Sequence, residues 1–487
     1  MKTLIEKFSQ KLNGLQKLKT ILHDYYYGIL NPIFVATIVL IFYYANFVIG
    51  GLCFLLVYSA IGFLLYDDVT PFVPTILIVP FMFRDLGFFT NPPIFFWIII
   101  GLAVLFIILH VVLYPPKKFS LGQITIPLIA VTISFFTGGL LSNYLHFYPN
   151  GIVLSLTIGP LVWVIYTFFH HFVNPPKDFD FKRFFAQTLM IAGLVTSVQL
   201  TYRYFNPESF SGAHIGWGNV NLAAIILLFA YPACFYLIGT QKLFLPYVVC
   251  ALYMLVAAIL SKGEGVFAIL VACSPILLII TYFKMSVKNR KLYNYVCLTV
   301  IVGILLGLIY LITSGKMQEL WAKVIKTFTN DNGRSKLVQN AWKLFVENPI
   351  FGTSMGYSNS NIYDPEGGVI EVFNFHSTPF HILATTGLMG AIAYSFYFFV
   401  RFRVLTDVNS WFNVCMFFCF ACFELYGCLD PCEFVIMPNM IFATVLIAVV
   451  EIINKSHKET LPLLNNSKNN LLYKLPKNIE NLENQFN

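Results

Sequence analysis

The sequence predicts an all-α, polytopic transmembrane helical bundle of about 12–14 spans, and three observations carry that prediction. Of 487 residues, 58% are hydrophobic and 11% charged, at a mean hydropathy of +0.73. Soluble domains carry about 25% charged residues, so this chain cannot cover a globular surface with polar groups, and a lipid bilayer is its natural solvent. The apolar residues fall in runs near the roughly 20 residues that a spanning helix needs. Finally, Lys and Arg cluster in short segments between those runs, as expected where basic residues stay on the cytoplasmic side. The formal charge of +8 is spread among these segments and builds no concentrated basic face, so nucleic acid is not an expected partner.

Residues 1–28 read as a cytoplasmic N-terminal segment with Lys2, Lys7, Lys11, Lys17 and Lys19. They lack the short apolar core and small-residue cleavage site of a signal peptide. Candidate spans follow at 29–49, 50–66, 70–84, 94–114, 119–141, 150–173, 184–205, 219–240, 243–260, 265–283 and 293–313, forming a bundle over 29–313. Residues 314–377 form a long extracytoplasmic loop. Spans at 378–400, 409–427 and 433–453 complete a second part of the bundle over 378–454, and 455–487 is a cytoplasmic tail, rich in Asn and Lys and expected to be disordered. With the N-terminus inside, the even-numbered connections collect Lys117 and Lys118; Lys177, Lys182 and Arg183; Lys242; Lys284, Lys288, Arg290 and Lys291; and Arg401 and Arg403. The turn holding Asp67 and Asp68 is the exception. The pattern predicts a multi-pass membrane protein with both termini cytoplasmic. Cys419 and Cys422 form a C-x-x-C inside a span, where membrane packing explains them better than zinc or redox chemistry. There is no G-x-x-x-x-G-K-[ST], H-E-x-x-H or G-x-S-x-G, which argues against an ATP-driven pump, a zinc protease of that type and an elbow-type serine hydrolase.

Four polar clusters fall on the outer side. Gly216-Trp217-Gly218-Asn219-Val220-Asn221 precedes a span; it reads as a loop with a helix cap or as a polar lining for a sugar or phosphate. Ser261-Lys262-Gly263-Glu264-Gly265 is a tight turn whose Lys262 either snorkels or pairs with Glu264, or stands beside a ligand that the glycines let approach. Asn330-Asp331-Asn332-Gly333-Arg334-Ser335 opens an amphipathic helix with Leu337, Ala341, Leu344 and Phe345 on one face, ended by Pro349. Asp331 or Asn332 caps its start. Arg334 in its first turn opposes the helix dipole unless an anion binds there. Phe375-His376-Ser377-Thr378-Pro379 opens another span, and His376 at the interface has the pKa range suited to proton transfer, unless it only bonds a neighbouring carbonyl. His381 lies about one turn deeper. Arg203, Arg84 with Asp85, and Glu424 lie near outer span ends, where ionisable groups are costly and read as functional by default.

Together these clusters resemble the O-antigen ligase and polymerase family. The resemblance runs through Gly333-Arg334-Ser335, Ala341-Trp342, Asn348-Pro349, Gly352 with Gly356, His376-Ser377, and Gly387 with Gly390. More weakly, Gly216–Asn221 and Ser261-Lys262-Gly263 look like upstream elements of the family, so the likeness covers about residues 180–400. Lys262 stands where the family usually has Arg, Val220 where Pro is common, and Ser377 where Asn is common. Lys keeps the charge but loses the bidentate fork.

The resemblance implies a glycosyltransferase of GT-C-like architecture. It would transfer a glycan from an undecaprenyl-diphosphate-linked oligosaccharide at the outer face, without a nucleotide sugar, metal or other cofactor, and with inversion. On that reading His376 is the general base, Arg334 and Lys262 stabilise the leaving diphosphate, and Asn219, Asn221, Arg203, Trp217, Ser377 and Arg84 line the substrate. The product is a polymerised capsular, exopolysaccharide or O-antigen chain, with a flippase and a chain-length regulator of the same pathway as expected partners. The alternatives are a ligase that moves the finished glycan to lipid A core or another acceptor and, from another class, a transporter or flippase of lipid-linked sugars.

Overall fold

The structure, a computed structural model, describes residues 16–84, 92–116, 120–144, 148–207, 214–215, 218–261, 263–315, 318, 334–356, 361–363, 369–371, 375–430, 433–434 and 437–472. A helix occupies every predicted span. After α1 (Gln16–Tyr26) come α2 (Leu30–Tyr44), α3 (Val48–Leu65), α4 (Thr70–Met82), α5 (Ile94–Leu113), α6 (Thr125–Thr137), α7 (Tyr148–Phe172), α8 (Phe181–Phe205), α9 (Val220–Thr240), α10 (Leu245–Leu260), α11 (Glu264–Lys284) and α12 (Val287–Thr313). The long connection holds α13 (Arg334–Glu347), and α14 (Thr378–Thr406), α15 (Trp411–Gly427) and α16 (Met437–Leu472) follow. Among the described residues seven helices are long and apolar enough to cross a membrane, and six more apolar helices are shorter. The chain is an all-α polytopic membrane protein. Lipid offers backbone groups no hydrogen-bond partner, so an apolar run there must satisfy its own.

Local chemistry explains the departures from regularity. α4 tightens to 3₁₀ geometry at both ends, at Pro71 and Pro80, with Pro74 opening its α-helical middle; each proline removes an N–H from the ladder. The long connection is not purely helical. β3 (Asn361–Tyr363) pairs antiparallel with β4 (Val369–Glu371), and a smaller pair, β1 (His214–Ile215) with β2 (Gly218–Asn219), precedes α9.

α9 is the axis of the fold. Every residue from Ile226 to Gly239 is buried, and α8, α10, α11 and α15 pack around it. A helix apolar on all faces belongs in such a place. α5 is its opposite, burying only Ile99 and His110 and turning Ile94, Trp97, Leu105 and Ile108 outward, as suits a lipid-facing helix.

Two features correct the charge reading. Asp68, the acid that broke the basic pattern, is buried and accepts hydrogen bonds from Tyr27 Oη (2.7 Å), Thr70 N (2.9 Å), Thr70 Oγ1 (2.7 Å) and Asn174 N (2.8 Å). Burial pushes its carboxyl above the ordinary value, against the pull of those bonds. It ties α1, α4 and the end of α7 together and is no topology signal. Arg401, counted above among the basic connecting residues, is instead fully buried inside α14 against acidic partners. Arg403, two residues on, remains exposed.

α14 is broken at Gly387, whose φ of 64° and ψ of −155° lie outside helical space. The segment after α13 fills the break. Thr353 N donates to Ala384 O (2.9 Å) and Ser354 N to Thr385 O (2.8 Å), while Leu388 N donates to Pro349 O (2.8 Å) and Met389 N to Ile350 O (3.2 Å). The end of α6 joins the same knot through Gly139 N to Phe351 O (2.9 Å). The two strands of backbone approach too closely for side chains. A Cβ at Gly387 would lie 2.6 Å from Ile350 O, and one at Gly352 would overlap the Thr385–Thr386 peptide. The small-residue pairs Gly352/Gly356 and Gly387/Gly390 thus contribute one glycine each to a single contact.

Candidate functional site

The candidate site lies at the end of the bundle where α14 begins. α13 packs Ala341 and Leu344 against Phe375 and Ala384, which places the start of α14 beneath it. This is the face that the period of Leu337, Ala341 and Leu344 predicts. Asn348 ends α13, its N–H on Leu344 O (3.0 Å) and its carbonyl taken by Gly352 N (2.9 Å). His376 follows Phe375 with φ 47°, in the left-handed region that His visits more readily than most residues. Ser377 then returns to extended backbone, and Pro379 starts α14.

His376 is paired. Its Nδ1 lies 3.0 Å from Asp430 Oδ1, with the two side chains 27% and 9% exposed. Asp430 sits just past the end of α15, where Leu429 N and Asp430 N both bond Tyr426 O. A neutral imidazole that donates Nδ1–H to a carboxylate keeps its lone pair on Nε2. That is the arrangement of a general base held by an acid. His381 is different: it is buried, its ring faces Phe375 at 5.9 Å, and neither nitrogen has a hydrogen-bond partner among the described residues.

Other candidates converge on the same end. A Cβ placed on Gly263 would lie 3.4 Å from Asn221 Oδ1, and one on Gly265 would lie 3.0 Å from the Tyr426 ring and 3.4 Å from Leu429. The 261–265 turn is therefore wedged between Asn221 and the end of α15 that carries Asp430. Ser261 holds this turn, donating to Ala258 O (2.7 Å) and accepting from Gly263 N (3.0 Å). Lys262 and Trp217 lie outside the described residues, as do Asp85, Asp331 and Asn332. Asn219 belongs to β2 and Arg334 is the first residue of α13. Arg203, in the last turn of α8, and Arg84, past the end of α4, both act electrostatically on the buried Tyr43 hydroxyl, so these two cations share one neighbourhood. Ser377 is buried. A shallow hollow lined by Ser120, Trp163, Tyr166 and His170 lies at the opposite end of the bundle, remote from these residues.

Asp430 is a candidate site residue that sequence reasoning missed. It lay in plain view as the only acid in the short connection 428–432. Only the fold brings it to a histidine 54 positions earlier. Glu424, left above without a partner, pairs with Arg401 (3.0 Å). Cys419 and Cys422 are buried free thiols packed in α15, and Cys428 is free as well.

No curated protein matches the chain. Residues 248–395 match the O-antigen ligase family model, a stretch that contains the 261–265 turn, α13, His376 and the break in α14 at Gly387, and stops short of Asp430. Over this stretch, and on the motifs within it, the chain is similar to the O-antigen ligase family.

Proposed function

We propose that the protein transfers a glycan from a polyprenyl-diphosphate-linked oligosaccharide to a hydroxyl acceptor at the outer face of the plasma membrane. The observation that carries the proposal is the His376–Asp430 pair, at the end of the bundle where Asn221 and the 261–265 turn meet; its His376 lies in the stretch that matches the family model. His376 Nε2 takes the proton of the acceptor hydroxyl as that oxygen attacks the anomeric carbon. A positioned base of this kind contributes about 10²–10⁴-fold in rate. Asp430 fixes the tautomer and stabilises the imidazolium that forms. Negative charge grows on the departing diphosphate, and preorganised cations are the effective answer to it. Arg334 at the head of α13, Lys262, and Arg203 with Arg84 supply them. Asn219, Asn221, Trp217 and Ser377 are the proposed contacts to the sugar. In-line attack inverts the anomeric centre.

The orientation rests on charge. Lys177, Lys182 and Arg183, Lys242, and Lys284, Lys288, Arg290 and Lys291 all sit in connections or in the helix turns beside them, at the end of the bundle opposite His376. Positive residues stay inside, which supports an orientation with His376 outside and the termini in the cytoplasm. We favour polymerisation of repeat units over ligation of a finished chain. The test is a deletion strain complemented with wild-type protein or His376→Ala, with protein level matched. Wild-type protein should restore a ladder of lipid-linked repeats and His376→Ala should not. Product from His376→Ala overturns the base. Glycan appearing only on a separate acceptor, without a lipid-linked ladder, makes the protein a ligase.

A further inference from the structure

α14, α15 and the chain just beyond Asp430 meet at a buried ionic cluster. Arg401 Nη1 lies 2.5 Å from Glu433 Oε1 and Nη2 lies 3.0 Å from Glu433 Oε2, a bidentate pair. Nη2 is also 3.0 Å from Glu424 Oε1, but outside hydrogen-bond geometry. The guanidinium stacks 3.9 Å from the Tyr397 ring centroid. Helix side chains lean toward their own N-terminus. Since α14 and α15 run antiparallel, Arg401 leans toward the His376 end and Glu424 leans the other way, and they meet.

The Tyr394 hydroxyl fixes the proton count. It lies 2.9 Å from Glu424 Oε2 and 2.9 Å from Glu433 Oε2. A phenol has one proton to donate, so both contacts are full hydrogen bonds only when one of the carboxyls is protonated and donates to the phenol. Glu433 is held by both guanidinium nitrogens and is the carboxylate. Glu424 therefore carries the proton and donates it to Tyr394, which donates its own to Glu433. The cluster then sums to zero charge, whereas two carboxylates on one arginine would leave a net charge buried away from water, at a cost of several kcal/mol.

Glu433 follows Asp430 by three residues, a reach of at most about 11 Å. Anchoring Glu433 in the bundle therefore limits where Asp430 can go. We propose that Arg401, Glu433, Tyr394 and Glu424 form a neutral, proton-holding clamp that positions Asp430 against His376. These are positioning residues, and the inference rests on reading His376–Asp430 as the transferring pair.

The test uses purified full-length protein in liposomes, with lipid-linked oligosaccharide extracted from the deletion strain as donor. Removing one partner of a buried pair strands a charge, whereas replacing both spares the fold. The variant Arg401→Met/Glu433→Gln should unfold near the wild-type temperature, yet show kcat lowered about tenfold or more, with donor KM within about twofold. A purely structural role would leave kcat per folded molecule intact. Arg401→Lys, which keeps the charge, should recover part of the loss. Infrared spectra should show a protonated-carboxyl C=O band that Glu424→Gln diminishes. Wild-type kcat in a folded double variant overturns the clamp, and an undiminished band in Glu424→Gln overturns the proton assignment. If the double variant does not fold, the infrared arm decides. His376→Ala runs in parallel. If it still transfers, the base reading fails; if it is dead while the double variant is fully active, only the clamp fails.

Discussion

Replacing Gly387 by Ala tests whether the break in α14 is held by the chain that fills it. The backbone at Gly387 (φ 64°, ψ −155°) lies in a region that residues with a Cβ essentially avoid, at a cost of about 1–3 kcal/mol. The added methyl would meet Ile350 O at 2.6 Å and Gly352 N at 2.7 Å, backbone atoms that cannot swing aside. Relieving that contact means parting the two segments, and four hydrogen bonds join them across the break. Each contributes about 1 kcal/mol, and more if its groups stay buried and unpaired. The sum is on the order of 5 kcal/mol, comparable to the whole stability of many domains. Purified Gly387→Ala should therefore unfold at a markedly lower temperature, or fail to accumulate, and a helix-continuing rearrangement would displace His376, which opens the same helix. At Gly390→Ala, one turn later in regular helix, the nearest atoms are those of the Thr386 and Ile382 side chains, which can adjust where backbone cannot, so it should cost less. A Gly387→Ala protein with wild-type unfolding temperature and turnover would refute the reasoning.

Four further outcomes follow from the geometry. Asp430→Asn should lower kcat by about tenfold or more with little change in donor KM, since it acts on the base rather than on binding; an unchanged kcat would remove Asp430 from the site. Arg334→Ala should cripple turnover and Arg334→Lys less completely, measured with the same extracted donor; equal turnover in Ala and wild type would end its anion role. Asp68→Ala should cost about 3 kcal/mol of stability by stranding the buried donors of Tyr27, Thr70 and Asn174, read as a lower unfolding temperature, while turnover per folded molecule stays near wild type. A variant whose only cysteine is the exposed Cys428 should react with a membrane-impermeant maleimide added to intact cells; labelling only after lysis would reverse the orientation.

The helices were legible because hydrocarbon leaves the backbone no choice, so an apolar run of sufficient length becomes a helix whatever its neighbours. α13 was legible from period alone, and His376 from its place at a span boundary together with its motif. What escaped the sequence depends on pairs distant along the chain. Arg401 looked like any basic residue near a span end, and its partners Glu424 and Glu433 lie on other elements. Asp430 looked like an ordinary polar residue in a short turn. Gly352 and Gly387 read as two separate small-residue motifs, because nothing local says that each exists to admit the other. Asp68 contradicted the charge pattern for the same reason: its four donors come from three places in the chain.

The break at Gly387 also bears on how the protein enters the membrane. The part of α14 after Gly387 alone approaches the roughly 20 residues that a span requires, so the insertion machinery can treat it as a complete span. The preceding part, from Thr378, leaves carbonyls at Ala384 and Thr385 that Thr353 and Ser354 satisfy. Those donors are synthesised earlier and already lie on the His376 side when α14 arrives. The first turns of α14 can thus dock after insertion, as the long connection folds down onto them. Assembly of the candidate site becomes a late step, separable from the threading of the bundle.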